Sequence, residues 1–232
     1  MKNTPSYSVL SVKLGWTRCY LLKCTGGYLL IDVYYPGYYL QFEKGLEKIG
    51  IAASEIKYLL LTHHHDDHAG FAAELVRRTG CQVIAHRNAL SALEKGESED
   101  SGGKMVNRRL EIVFAFYMRY HKEFKFPPVR LGERDIVIEG DNDEFLKEIG
   151  IDGVILHTPG HTRDSISVLL SDGSAFVGDA AMNFLRWTGV GHRPIYVEDI
   201  DIVYKSWRKL RQRGARVIYP AHGNCFSAAK LA

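Results

Sequence analysis

The chain has no run of about 20 apolar residues, and its start, Met1-Lys2-Asn3-Thr4-Pro5-Ser6, has no hydrophobic signal core. Neither a membrane span nor a secretory leader is expected. Cysteine is scarce: the four present, Cys19, Cys24, Cys81 and Cys225, form no C-x-x-C pair, and a chain of 232 residues needs no disulfides to hold a core. Cys19 and Cys24 read as strand residues, and Cys225, three residues after His222, is expected to be buried. Net charge is small as well. The 30 Lys and Arg against 27 Asp and Glu give +3, too little to imply a polyanionic partner such as nucleic acid. One basic concentration, residues 205–213, accompanies Val203, Trp207 and Leu210 at helical spacing, as on an amphipathic helix with its charges outward. A soluble, cytoplasmic protein follows from these absences, and 46% hydrophobic residues are ample for a core.

Residues 7–14, 17–24 and 28–33 read as an antiparallel meander with Gly26-Gly27 as a hairpin turn. Residues 38–49 follow a near-3.6 period and stop at Gly50, a helix with a glycine cap, and 57–62 form a buried strand. A short helix begins after His68, with Phe71, Leu75 and Val76 on one face, and stops at Gly80. A strand at 82–85 and a helix at 88–95 follow. The second half offers strands at 135–139, 153–157, 165–170 and 175–177, a helix at 200–213 and a last strand at 216–219. Two mixed sheets packed face to face, helices outside, would bring strand ends from both halves to one rim.

Near that rim runs Thr62-His63-His64-His65-Asp66-Asp67-His68. Zinc takes imidazole nitrogen and carboxylate oxygen in its shell. On an extended strand end, His63 and His65 can grip one ion while Asp67 and His68 face a second. Alone, the run also fits a solvated histidine-rich loop. Three downstream segments decide for metal: Thr158-Pro159-Gly160-His161-Thr162, Val177-Gly178-Asp179 and Tyr219-Pro220-Ala221-His222-Gly223 each deliver one ligand-type side chain after a β-type run. By extended geometry His64 and Asp66 point the other way and are not ligands; Asp66 either supports a ligand from behind or is a solvated charge. Asp32 either accepts a hydrogen bond from a ligand imidazole or caps a turn. His157 reads as a satisfied core histidine, and His86, His121 and His192 have no partner pattern.

The H-x-H-x-D-H pattern at 63–68, T-P-G-H-T at 158–162, G-D at 178–179 and A-H-G at 221–223 together resemble the metallo-β-lactamase-fold superfamily. Leu30-Ile31-Asp32 before Pro36-Gly37 resembles its early strand and turn. The resemblance implies an α/β fold, a four-layer αββα sandwich of two mixed β-sheets with helices on the outer faces, as one domain over residues 1–232. It implies that His63, His65 and His161 hold one divalent ion, that Asp67, His68 and His222 hold a second, and that Asp179 bridges them. Zinc is the default metal, with iron or manganese also admitted by the mixed ligands. Two such ions can share a hydroxide near neutral pH. The implied function is hydrolysis of an ester, thioester, lactone or phosphodiester in a small-molecule substrate, with Asp67 as a catalytic residue orienting the nucleophile.

Departures narrow the subclass. Many β-lactam hydrolases of the superfamily have a cysteine or serine where this chain has Asp179. Acyl-homoserine lactonases carry a tyrosine shortly after that aspartate, where this chain reads Ala180-Ala181-Met182-Asn183. That leaves Asn183 as a candidate substrate contact and the general acid missing. Hydroxyacylglutathione hydrolases share all seven ligands but add a basic C-terminal domain, for which the ten residues after His222 leave no room. Two other activities stay open: a mononuclear non-haem iron oxidoreductase of the persulfide dioxygenase kind, and a phosphodiesterase acting on a nucleotide. A non-catalytic metal scaffold is disfavoured because no ligand is lost.

Residues 96–128 are the least family-like part and are expected to be a helical insertion. A helix over 105–118 puts Val106, Leu110, Val113, Phe114 and Tyr117 on one face, with Ile112, Phe116 and Met118 beyond it. Core packing is the first expectation for this apolar surplus. A lid over the substrate entrance is the second, with Tyr117, Arg119 and Tyr120 giving the pocket aromatic and basic character. A homodimer contact through 105–120 is the third.

Overall fold

A computed structural model describes residues 9–98, 102–117, 119 and 124–231. Met118, Tyr120, His121 and the side chain of Tyr117 lie outside the described residues, and with them part of the expected pocket lining.

The expected meander is present as β1 (Leu10–Leu14), β2 (Thr17–Cys24) and β3 (Gly27–Ile31), paired antiparallel. Helix α1 (Tyr39–Lys48) leads to β4 (Ile56–Leu60), which joins β3 in parallel. Then come α2 (Asp66–Ala69), α3 (Ala72–Thr79), β5 (Gln82–His86), α4 (Leu90–Lys95), β6 (Lys104–Met105) and α5 (Arg108–Tyr117). Strand β7 (Ile136–Ile138) lies beside β5 and completes a six-stranded mixed sheet, β1-β2-β3-β4-β5-β7. Onward run α6 (Phe145–Glu148), β8 (Gly153–His157), β9 (Ile166–Leu170), β10 (Ser174–Gly178), β11 (Tyr196–Val197), α7 (Ile200–Gln212), β12 (Val217–Pro220) and β13 (Phe226–Ser227). The second mixed sheet is β13-β12-β10-β9-β8, while β6 and β11 form a separate antiparallel ribbon.

Period-two alternation sorts the apolar side chains into layers. Leu29, Ile31 and Leu60 pack with Ile155, Val168 and Phe176 between the sheets. Their sequence neighbours Leu30 and Leu59 turn outward onto Phe42 and Leu46 of α1 and Leu75 of α3. On the other side Ala175, Val177 and Ile218 meet Val203, Trp207 and Leu210 of α7, whose Lys205, Arg208 and Arg211 are exposed. This is the four-layer αββα sandwich.

Several expectations change. The helix expected after His68 begins earlier, as α2. It is separated from α3 because the Phe71 amide donates to Tyr34 O at 3.1 Å instead of to a helical carbonyl. Residues 104–105 pair with β11, so the helix expected from 105 starts at Arg108. The strand at 216–219 is not the last, since β13 pairs with it. Cys225, expected buried, is exposed in the segment between β12 and β13, while Cys19, Cys24 and Cys81 are buried. Among the described residues no helix is long and apolar enough to cross a membrane.

Candidate metal centre

The segments that follow β3, β4, β8, β10 and β12 meet at one rim. Asp32, just past β3, has φ +59° and is buried; its Oδ1 accepts from the Thr62 amide and its Oδ2 from the Thr62 hydroxyl, both at 2.7 Å. These bonds fix where the chain leaves β4. Gly178 brings the other sheet alongside. Its φ is +51°, and a Cβ there would lie 2.3 Å from Thr62 Oγ1, so only glycine lets Asp179 come this close.

Three imidazole nitrogens converge here: His63 Nε2 and His65 Nδ1 are 3.1 Å apart, and His161 Nε2 is 3.2 Å from each. Proton positions follow from the outer sides of the rings. The Thr62 hydroxyl spends its proton on Asp32, so at 3.1 Å it can only accept from His63 Nδ1. Tyr196 O, a carbonyl, accepts from His161 Nδ1 at 2.8 Å. Burial first, and neighbouring imidazoles for His63 and His65, hold the three rings below the usual histidine range and therefore neutral; for His161, Asp179 opposes the shift without cancelling it. His63 Nε2 and His161 Nε2 thus face each other as bare lone pairs. A shared cation relieves that arrangement, and the spacing is near the ~3.3 Å between nitrogens on a tetrahedral zinc with Zn–N of about 2.0–2.1 Å.

A second group adjoins the first. His68 Nδ1 donates to Asp32 Oδ2 at 2.9 Å and His222 Nδ1 to Trp16 O at 3.2 Å, turning both Nε2 atoms inward. Asp67 Oδ2 is 3.2 Å from His222 Nε2, and Asp179 Oδ1 is 3.4 Å from the same atom. His68 Nε2 and Asp179 Oδ1 are buried 3.5 Å apart and make no hydrogen bond. Asp179 also reaches the first group, with Oδ2 3.7 Å from His161 Nε2. Burial works against charge on His68 and His222, yet the carboxylates prevail: His68, beside Asp67, Asp32 and Asp179, is raised well above the usual range, and His222, beside Asp179 and Asp67, to about 10. Burial likewise opposes ionisation of Asp67 and Asp179, and the two imidazoles bring both carboxyls down. Without metal, protons supply the positive charge these carboxylates demand. The sets His63/His65/His161, His63/His68/Asp179 and Asp67/His68/His222 each gather donor atoms within 4.8 Å, as a metal ion requires.

The supporting residues are now placed. Asp32 both accepts from an imidazole and fixes the turn. His64 points away, its Nδ1 2.9 Å from the buried Asp164. Asp66 is buried, not a solvated charge: burial first, then Asp67, pushes its carboxyl up to about 7, and its amide donates to Ser98 Oγ at 3.0 Å. The Asn183 amide donates to His222 O, and its Nδ2 to Asn224 O, so this residue braces the His222 loop. His157 stacks on His86 with ring centroids 4.2 Å apart. Sequence reasoning missed Thr62, Asp164 and Ser98 as partners.

Over the ligands lies a cavity of about 510 Å³ whose floor includes His65, Asp67, His161, Asp179 and His222. Helix α5 forms part of its wall through Leu110, Val113 and Phe114, of which Leu110 is also buried as core packing requires. Arg119 is exposed and does not line the cavity, so it does not supply the expected basic character, and among the described residues the lining holds no Lys or Arg.

The profile of the Metallo-beta-lactamase superfamily matches residues 15–222, and the chain belongs to that family and has the fold of its enzymes. Among particular relatives, it is 27% identical to a metallo-beta-lactamase fold-containing protein of Sulfurisphaera tokodaii over 175 residues, 75% of this chain and 62% of that one. It is 27% identical to a hydroxyacylglutathione hydrolase of Rhodopseudomonas palustris over 72% of this chain, a match that spans less than half, 47%, of the relative. In structure it is similar to a metallo-beta-lactamase family protein of Thermus thermophilus, with TM-score 0.66 and 20% identity over 96% of this chain and 75% of that one.

Proposed function

We propose that this chain is a metal-dependent hydrolase that holds two divalent ions, zinc by default, and cleaves an ester-type bond in a small molecule. His63, His65 and His161 would hold one ion and Asp67, His68 and His222 the other, with the Asp179 carboxylate reaching both. Residues 1–232 would act as one domain, with 96–128 as a helical insertion over the site. The observation that carries the reading is the convergence of His63 Nε2, His65 Nδ1 and His161 Nε2, each within 3.2 Å of the other two. When bound, the ions would supply an acidified water and an electrophile for the scissile carbonyl or phosphoryl oxygen. The protein's own residues do the rest. Thr62, Asp32, Tyr196 and Trp16 hold the imidazoles in the tautomer that turns lone pairs inward. Asp67, at the cavity floor, accepts a hydrogen bond from the attacking water and orients it. The apolar walls exclude bulk water and so strengthen each polar contact at the floor. Similarity to hydroxyacylglutathione hydrolases supports hydrolysis as the reaction type.

Elemental analysis should find two ions per chain. The zinc-loaded protein should hydrolyse at least one of a panel comprising an ester, a thioester, a lactone, an amide and a phosphodiester. Asp179→Ala should lower metal content and turnover together; full turnover with two ions retained would overturn the assignment. Oxygen uptake with a persulfide, and no hydrolysis, would replace the reading with an iron oxidoreductase.

A further inference from the structure

The walls of the cavity come from segments far apart in sequence. Trp16 and Tyr35 contribute from the loops around β2 and β3, α5 and Phe124 from the middle of the chain, and Phe184 and Leu185 from the loop after Asp179. Its volume of about 510 Å³ suits a ligand of ordinary small-molecule size. The wall-building segments do carry arginines, Arg108, Arg109, Arg119 and Arg186, but all four are exposed and none lines the cavity. The floor, in contrast, carries the carboxylates of Asp67 and Asp179, which would offset part of the charge that two divalent ions would bring.

We infer that the substrate is an electrically neutral carboxylic ester or lactone whose larger substituent is apolar; the inference rests on the hydrolase reading above. A phosphodiester, a nucleotide or an acyl compound bearing its own carboxylate would lose its hydration against walls whose described residues offer no guanidinium or ammonium to replace it. A neutral ester loses little water at its carbonyl and gains from burying alkyl or aryl surface against Trp16, Leu110, Phe114, Phe124 and Phe184. In the reaction, the water oxygen bonds to the carbonyl carbon and the bond from that carbon to the leaving oxygen breaks. One water proton ends on the leaving oxygen, giving the alcohol, and the other is released as the new acid ionises. The charged acid is then poorly matched to the walls, which favours its departure.

The test has two arms on the full-length protein. In the first, the zinc-loaded protein is given p-nitrophenyl esters from acetate to decanoate, and bis-p-nitrophenyl phosphate. In the second, uncharged methyl ketones of 4 to 12 carbons, which cannot be hydrolysed, are titrated calorimetrically into zinc-loaded and metal-free protein. The expectation is that kcat/KM for the esters rises about two- to fourfold per CH2 until the cavity is filled, as burial of methylene groups requires. Ketone affinity should rise in parallel, in metal-free protein too. Phe114→Ser and Phe184→Ser, both at half-buried positions on separate walls, should flatten both slopes. Ester hydrolysis with no chain-length dependence and no ketone binding, or preference for the phosphodiester, would overturn the substrate class while the hydrolase reading stands. Ketone binding with the expected slope but no hydrolysis of these esters, the phosphodiester or any other bond of the panel above would overturn the hydrolase reading and the ester with it, leaving an apolar ligand site.

Discussion

A histidine is prepared for a metal by what holds its far side. His63, His68, His161 and His222 each give Nδ1 to an acceptor that cannot donate back: a hydroxyl with its proton committed, a carboxylate, and two carbonyls. Asp32 stands behind two of these, through Thr62 and directly through His68. Asp32→Asn keeps the left-handed backbone, which asparagine tolerates, but removes a charged acceptor. It should weaken metal binding about 10- to 100-fold in competition with a chelator, with unchanged far-UV circular dichroism; undiminished affinity would show that the carboxylate is not needed. The seven ligand-type residues could be picked out in the sequence because each follows a β-type run, and in the three downstream segments Gly or Pro marks the strand end. Asp164 and Ser98 were not, since their partners, His64 and Asp66, lie 100 and 32 residues away and no local spacing announces them. Asp66 was left open between two roles for a related reason: alternation tells which way a side chain turns, not whether other segments cover it, and burial excludes the solvated charge.

Among the elements, the long alternating strands and the amphipathic helices α1, α3 and α7 could be read in advance, because burial against a layer imposes a period. The two-residue strands β6, β11 and β13 and the four-residue α6 could not. They are too short to show a period, and their form comes from what they pair with. Helix α5 shows a further limit: its apolar face was legible, but periodicity cannot distinguish a face that meets a core from one that meets a cavity. Where two elements approach most closely, a single atom matters. Gly178→Ala would combine a Cβ 2.3 Å from Thr62 Oγ1 with a strained φ of +51°. A loss of about 1–3 kcal/mol in urea unfolding is expected, with reduced metal content because Asp179 and Thr62 are pushed apart. A variant as stable as the parent would show that β10 has room to shift.

At the scale of the whole molecule, Asp141, in the loop after β7, joins the edge of the first sheet to the helix that covers the second. Lys209 of α7 donates to Asp141 Oδ1 at 2.9 Å and to His157 O at 2.8 Å. Burial alone would raise the Asp141 carboxyl; the Lys209 ammonium outweighs it, with help from the His157 amide and Arg213, and holds it below the ordinary range. A depressed carboxyl stabilises the fold above its unfolded pKa of about 3.9 and ceases to do so as pH falls through the lower folded value. Because the pair is partly exposed, at 38% for the Lys209 and 30% for the Asp141 side chain, Asp141→Asn should cost only about 0.5 kcal/mol at pH 7. The two proteins should converge in stability towards pH 2 in denaturant titrations; a gap that persisted there would assign the effect to packing.

The bond from His222 Nδ1 to Trp16 O spans 206 residues, and around it Arg18 N donates to Ala221 O and the Tyr20 hydroxyl to Pro220 O. Contacts so distant along the chain form late and slowly. The three-imidazole group is oriented only once Tyr196 has joined the fold, because its carbonyl holds His161 Nδ1, and the second group lacks a member until residue 222 follows. On the two-ion reading proposed above, the His63/His65/His161 group should therefore be ready for an ion before the Asp67/His68/His222 group is.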